Sequence, residues 1–286
     1  MPDWACVNGH YSPIDRATIS INDRGLLFAD SVYEVILSRD GKLLAGERHF
    51  ARLGRSLDAL GISADLRQVR GWLAETLRQS ELNSALLYLQ ITRGTAPRAH
   101  LAPTGLSPNV IITARAWTAT EPSTRREGVH AITLADPRWQ RRDIKTTNLL
   151  PNILAKQAAA AAGAYEGLFV EADGTVNEGT SANVAIVLRG TIVTPPHSHR
   201  ILPGVSRDVV VELARRQGLR VDERPLSREE PLAAGEVFLT GTTTEVQGVT
   251  RVDETTIGSG KVGPITWRLY EAYLDAAAEL LEPAAG

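Results

Sequence analysis

Two hydrophobic periods alternate along the first 117 residues. In "ERHFARLGRSLDALG", Phe50, Leu53, Leu57 and Leu60 recur three or four positions apart, which places them on one face of a helix. Gly61 stands where that helix should end. "DLRQVRGWLAETLRQ" has the same period and predicts a second amphipathic helix. "VYEVILSRDGKLLAG" instead predicts two strands joined at Asp40-Gly41, a strong hairpin signal. "SALLYLQITRG" and "NVIITARAW" are short and rich in β-branched residues, so they predict strands.

The periodicity lapses over "TATEPST", residues 118–124, the best linker candidate. Beyond it "GVHAITLAD" predicts a strand and "NLLPNILAKQAAAAAGA" a helix. Pro151 fits that helix only in the first turn, where its missing N–H is no loss, so a start near Thr147 or Asn148, either of which can cap it, is expected. Strand pairs follow around Asp173-Gly174 and Arg189-Gly190, then a helix in "GVSRDVVVELARRQG". "EVFLTGTTTEV" reads as a strand entering a threonine-rich turn, and "GPITWRLYEAYLDAAAELL" as a final helix. The alternation predicts an α/β (α+β) fold with a smaller N-terminal subdomain at 1–117 and a larger one at 125–286.

Composition narrows the function classes. A chain of 286 residues suits one large domain or two closely packed ones. Its 31 basic and 33 acidic residues leave a net charge of −2, and no basic run is interleaved with aromatics, so neither nucleic acid nor an anionic membrane is an expected partner. Cys6 is the only cysteine, which excludes an intramolecular disulfide or a thiolate cluster and makes a reducing cytoplasm the expected compartment. The opening "MPDWACVNGHYSPID" has no basic region followed by an apolar core, so a signal peptide is not expected there, and no apolar run approaches the roughly 20 residues of a spanning helix.

Some motifs are decoys. "GSGKVG", Gly258 to Gly263, matches a dinucleotide fingerprint, but only 23 residues follow it and they read as one helix. A turn capping that helix is the better account. The same segment fails as a P-loop, because Thr255 and Val262 replace required residues. His197 and His199 have no acidic partners in sequence, and no metal is expected.

Four short segments acquire meaning together. Lys145 is one of few lysines in an arginine-rich chain; Glu178 follows a strand and precedes small polar residues; Gly204, Val205 and Ser206 open a helix, whose free N–H groups suit a phosphate; Gly241 and three threonines end a strand. One chemistry uses all four. Pyridoxal phosphate needs an amine to bind covalently, a carboxylate to keep its pyridine nitrogen protonated, and a phosphate cradle of N–H and hydroxyl groups. A lysine beside a cationic ring and away from water loses its proton more readily and can serve as base.

With "VYEV", "RHFARL", "YLQITRGTAPRAH", "DIKTTNLLPNILAKQ", "VNEGTSANV", "ILPGVSRDVV" and "LTGTTTE" in family order from about residue 15 to 275, the chain resembles the class IV (fold-type IV) pyridoxal-phosphate aminotransferases, most closely the D-amino-acid branch. The resemblance implies two subdomains with the active site between them, pyridoxal 5'-phosphate, and a homodimer sharing its active site. Lys145 matches the Schiff-base lysine and Glu178 the carboxylate on the pyridine nitrogen. Arg52 matches the phosphate-binding arginine, with Leu202, Gly204, Val205, Ser206, Gly241 and Thr242 around the cofactor and Ser181, Ala182 and Asn183 lining its ring. Tyr33, Arg98 and His100 match the substrate-carboxylate trap of the D-specific branch, Arg98 and His100 reaching in from the partner subunit; Val35, Tyr88 and Thr243 border the side-chain pocket. Gly241 stands where relatives often carry serine, and Arg142 where they often carry cysteine.

The resemblance implies transfer of an amine from a D-amino acid, D-alanine first, to a 2-oxo acid such as 2-oxoglutarate or pyruvate. Alternatives on the same fold are a branched-chain L-amino-acid or (R)-amine aminotransferase and aminodeoxychorismate lyase. A non-catalytic small-ligand binder is the alternative from another class; the intact Lys145 and Glu178 argue against it.

Overall fold

The computed structural model describes residues 3–284. The chain divides into two compact units. The first holds the chain up to Thr118, Ile144–Asn148 and the end from Ala277; the second holds Ala119–Asp143 and Leu149–Ala276. The expected layout, 1–117 and 125–286 joined by 118–124, is a single cut. The observed path instead returns to the first unit twice.

The first unit contains β1 (Trp4–Val7), β2 (His10–Pro13), α1 (Arg24–Phe28), β3 (Ser31–Arg39), β4 (Lys42–Leu44), α2 (Gly46–Leu60), α3 (Leu66–Ser80), β5 (Ser84–Thr92) and β6 (Asn109–Ala116). With a C-terminal strand, Leu281–Pro283, the strands form one antiparallel sheet in the order C-terminal strand–β4–β3–β5–β6–β1–β2. Asp40 and Gly41 both take positive φ, 49° and 73°, as the tight β3–β4 turn requires. One sheet face, with Val32, Ile36, Leu87, Leu89, Ile91 and Ile112, packs against Phe50, Leu53 and Leu57 of α2 and Val69, Leu73 and Leu77 of α3. Gly61 ends α2 in the left-handed conformation, and Asp65 caps α3 through Arg67 and Gln68 N–H.

β4 pairs with β3 only near its end, at Ser38 and Arg39. The early part of that β3 edge is taken by residues 144–147. Tyr33 N–H donates to Lys145 O (2.9 Å), Thr147 N–H to Ser31 O (3.3 Å), and Val32 bridges Thr146. Buried Ile144 anchors the segment in the same core as β3.

The second unit contains α4 (Pro122–Glu127), β7 (Val129–Ala135), α5 (Leu150–Ala161), β8 (Glu166–Val170), β9 (Thr175–Gly179), β10 (Asn183–Leu188), β11 (Thr191–Thr194), α6 (Val205–Arg216), β12 (Arg220–Glu223), β13 (Leu226–Ser227), α7 (Glu229–Ala233), β14 (Glu236–Gly241), β15 (Glu245–Val252), β16 (Thr255–Thr256) and α8 (Pro264–Glu279), whose last residues pass into the first unit. Its ten-stranded sheet runs β12–β11–β10–β14–β15–β7–β8–β9–β13, with β16 on β15. A bridge between Asn183 and Glu178 also joins β10 to β9, so six strands close into a ring. All six contribute to one apolar cluster: Val184 and Ile186, Val237 and Leu239, Val249, Val129 and Ala131, Leu168, and Val176.

Two local expectations change. Residues 122–124 open α4, with Pro122 at its start, rather than continuing a linker. α5 begins at Leu150 after Leu149, with no side-chain cap, not at Thr147 or Asn148. Thr147 is engaged elsewhere: its hydroxyl bonds Ser31 Oγ, and its N–H is in the β3 edge. The "GSGKVG" segment is a turn before α8, and Glu236 of β14 accepts from Ile265 N–H (3.1 Å) and Thr266 N–H (2.7 Å).

Candidate active site

Lys145 owes its position to backbone pairing. Its carbonyl accepts from Tyr33 and its N–H donates to Ser56 Oγ of α2 (3.2 Å). The half-buried side chain carries Nζ to 4.2 Å from the centre of the Tyr33 ring, a cation–π distance. Strand alternation then sorts the neighbours. Tyr33 and Val35 of β3 share a sheet face with Tyr88 and Gln90 of β5, Val35 opposite Tyr88 and Tyr33 opposite Gln90. The Tyr33 and Tyr88 rings lie 5.7 Å apart. Burial, aided by Tyr33, pushes the Tyr88 phenol up to about 12, so it stays protonated and donates to Gln90 Oε1 (2.8 Å).

Glu34 points to the other face, toward α2. It accepts from Arg52 Nε (2.8 Å) and Nη2 (2.7 Å) and pairs with His49 Nδ1 (2.7 Å). Burial pushes the Glu34 carboxyl up, but the Arg52 guanidinium and His49 outweigh it and hold it at about 2. Burial keeps His49 below the usual imidazole range; Glu34 opposes this, while the charges of Arg52 and Lys145 reinforce it. The pair Glu34–Arg52 is therefore ionised beside a neutral imidazole.

Arg98 and His100 lie on the loop between β5 and β6, both exposed. Both touch Phe28: the Arg98 guanidinium is 5.2 Å from the ring centre, and the His100 ring meets it edge-on at 5.7 Å. Lys145, Arg52, Tyr33, Val35, Tyr88, Arg98 and His100 thus all belong to the first unit.

The remaining sequence candidates lie in the second unit. Glu178, near the end of β9, is buried and accepts from Arg138 Nη1, from Leu202 N–H (3.0 Å) and from Asn183 Nδ2 (3.3 Å). Burial raises its carboxyl above the usual range, with Arg138 and the Leu202 N–H opposing. A carboxyl so placed has much to gain from one more cationic donor. Arg138 is shared with Asp136 (2.7 Å) and stacks 4.1 Å from the Phe169 ring centre. Arg142 pairs with Glu171 and approaches Asp136 (3.5 Å), so it extends the same ionic chain.

Asn183 Nδ2 also donates to Leu202 O (3.0 Å), fixing the segment before α6. Gly204 is the N-cap of α6; it makes no side-chain cap, and a Cβ there would lie 1.9 Å from Asn183 Oδ1. Val205 and Ser206 therefore open α6 with backbone N–H groups suited to an anion. The Ser206 hydroxyl meets Tyr273 (3.2 Å). Gly241 ends β14, Thr242 is half-buried and Thr243 exposed in the following turn. Ser181 and Thr180 bond the buried Glu166 carboxylate, and Ala182 O accepts from Gly179 N–H (2.6 Å).

The structure adds residues to the set. Glu34 had a signal, since it is the one charged residue on the Val32–Glu34–Ile36 face. His49, Arg138 and Glu166 had none, because the site partners they meet, Glu34, Glu178 and Thr180 with Ser181, lie 15, 40 and 14 or 15 positions away. His197, by contrast, pairs with Asp208 (2.8 Å) and Arg207 (3.0 Å).

Each unit by itself carries groups whose chemistry suits pyridoxal 5'-phosphate: the first a half-buried primary amine, the second a buried carboxyl able to meet a cationic nitrogen and a helix N-terminus without a side-chain cap. Comparison with known proteins agrees. Residues 31–252 match the model of the family described as amino-transferase class IV. The D-alanine aminotransferase of Bacillus licheniformis is 41% identical over 262 residues, 91% of this chain and 92% of its own. Among solved structures, the branched-chain amino acid aminotransferase of T.th. with pyridoxamine 5'-phosphate has a TM-score of 0.90 at 28% identity, covering 96% of this chain and 94% of its own. The 4-amino-4-deoxychorismate lyase of Pseudomonas aeruginosa has a TM-score of 0.83 at 29% identity, covering 95% and 98%. The chain belongs to the class IV aminotransferases.

Proposed function

We propose that the protein is a D-amino-acid aminotransferase that uses pyridoxal 5'-phosphate, with D-alanine as donor and 2-oxoglutarate or pyruvate as acceptor. The observation that carries this reading is the fixing of Lys145 to the β3 edge with its amine on the Tyr33 ring. The likeness to a D-alanine aminotransferase over most of both chains supports the D-specific choice.

When bound, the cofactor supplies an electron sink and a carrier for the amine. Lys145 would hold it covalently and, as the base, would move the substrate α-proton. Glu178, oriented by Arg138, Asn183 and Leu202 N–H, would keep the pyridine nitrogen protonated. Arg52, the N–H groups of Val205 and Ser206, and the Gly241–Thr242 turn would hold the phosphate, and Ser181, Ala182 and Asn183 would line the ring. Tyr33, Arg98 and His100 hold the substrate carboxylate, and the arginine fork fixes its direction as well as its charge. That direction decides which enantiomer offers its Cα–H to Lys145. Val35, Tyr88 and Thr243 border the side chain.

The working form is a homodimer in the cytoplasm. Leu26 of α1 and Leu101, next to His100, are 63% and 87% exposed, apolar surface that a second copy would cover. The exposed Arg98 and His100 then serve the partner's active site. Among the described residues, no helix is long and apolar enough to cross a membrane.

Incubating the purified enzyme with D-alanine and 2-oxoglutarate tests the reading. Pyruvate should form, with L-alanine and L-leucine inert. Faster transfer from L-leucine would overturn it, as would pyruvate release from an aminodeoxychorismate-type substrate without an acceptor.

A further inference from the structure

Arg24 is buried, 5% exposed, yet has no part in the roles above. Each of its three guanidinium nitrogens donates. Nη1 donates to Ala99 O (2.7 Å), Nη2 to His100 O (3.1 Å) and Nε to Asp30 Oδ2 (2.9 Å). Its planar fork thus spans two consecutive carbonyls of the loop that carries Arg98 and His100. The plane also lies 4.9 Å from the Phe28 ring centre. Phe28 therefore has Arg24, Arg98 and His100 around one ring.

The anchor behind Arg24 is tied in several places. Asp30 also accepts from Arg93 Nε (2.7 Å), and Arg93 reaches the end of α2 through Leu60 O (2.8 Å) and Gly61 O (3.3 Å). The base of the loop is tied by Arg24 N–H to Gly94 O (2.9 Å), Ala96 N–H to Asn22 O (3.2 Å) and a bridge between Asp23 and Thr95. Gly94 has φ 111°, and a Cβ there would lie 2.1 Å from Ser107 O, so the two arms of the loop meet closely. Asp30 Oδ2 is thus shared between Arg24 and Arg93.

We propose that Arg24 and Phe28 are positioning residues of the substrate-carboxylate trap: Arg24 fixes the backbone at residues 99 and 100, and Phe28 fixes the side chains of Arg98 and His100. This rests on the trap assigned above. An exposed arginine and histidine on a loose loop would have to be ordered by each arriving substrate; here the ordering is done by the fold.

The test compares R24M, F28L and R98A as holoenzymes, reading KM for D-alanine, kcat, the dissociation constant of pyridoxal 5'-phosphate, and competitive inhibition by propionate. R98A should raise KM. R24M and F28L should each raise KM and the propionate inhibition constant about tenfold, with kcat and cofactor affinity within about twofold, and R24K should recover part of the loss. The proposal is overturned if R98A raises KM while R24M and F28L leave it unchanged. It is also overturned if kcat and cofactor affinity fall in both variants as far as KM rises, because that marks a general structural role. An unchanged KM in R98A would remove the trap assignment itself, and this inference with it.

Discussion

The Glu34 carboxylate receives both Nε and Nη2 of Arg52, at 2.8 and 2.7 Å, and none of Glu34 is exposed. A buried pair of this kind adds little net stability over an apolar pair, but losing one partner leaves a buried charge uncompensated. Glu34 thus holds Arg52 in one orientation. Glu34→Gln keeps the shape and removes the charge. The expected outcome is a loss of about 3–5 kcal/mol in urea-unfolding stability and weaker cofactor binding. Unchanged stability and affinity would show that the pair has no such role.

The same pair sets an acid limit. The folded Glu34 carboxyl is held at about 2, below the ordinary 4.5. A lowered folded value means the contribution is complete above about 4.5 and is lost as pH falls toward about 2. Stability of the wild type should therefore fall through that window. In Glu34→Gln the slope should be shallower, and parallel slopes in the two proteins would contradict the assignment.

Arg138 reaches Glu178 from a segment with no sequence motif of its own. Arg138→Met removes a charge-assisted donor from a buried carboxyl that burial already pushes upward. Such a bond is worth about 1.5–3 kcal/mol, or roughly ten- to a hundredfold in cofactor affinity. Titration of the apoprotein with pyridoxal 5'-phosphate, followed by absorbance, reads this directly. Binding as tight as wild type would refute the role.

Gly204→Ala tests the opening of α6. The added methyl would fall 1.9 Å from Asn183 Oδ1, so Asn183 must withdraw from Leu202 and Glu178. Overpacking of this kind costs about 1–3 kcal/mol. Calorimetry of the apoprotein should register the loss, and cofactor affinity should fall with it. A variant that matches wild type in both would show that the Asn183 contact is dispensable.

How much of this was legible follows from range. The α2 face of Phe50, Leu53 and Leu57, its stop at Gly61, and the Asp40-Gly41 turn are written in local spacing, and each appears as expected. The edge pairing of Lys145 with Tyr33 joins residues more than a hundred positions apart, and no local pattern announces it. Pro151 marks the first turn of α5 and Lys145 lies on the approach to it, but Thr147, which by local sequence could cap the helix, instead serves β3. Arg24 was equally silent, since what it binds is backbone carbonyl, which has no sequence signature.

The most direct measurement is borohydride reduction of the purified holoenzyme, followed by peptide mass spectrometry. Only Lys42, Lys145, Lys156 and Lys261 offer side-chain amines in this chain. A single reduced pyridoxyl phosphate adduct is expected, on Lys145, and none in Lys145→Ala, which should also be inactive. An adduct on another lysine, or full activity in Lys145→Ala, would contradict it.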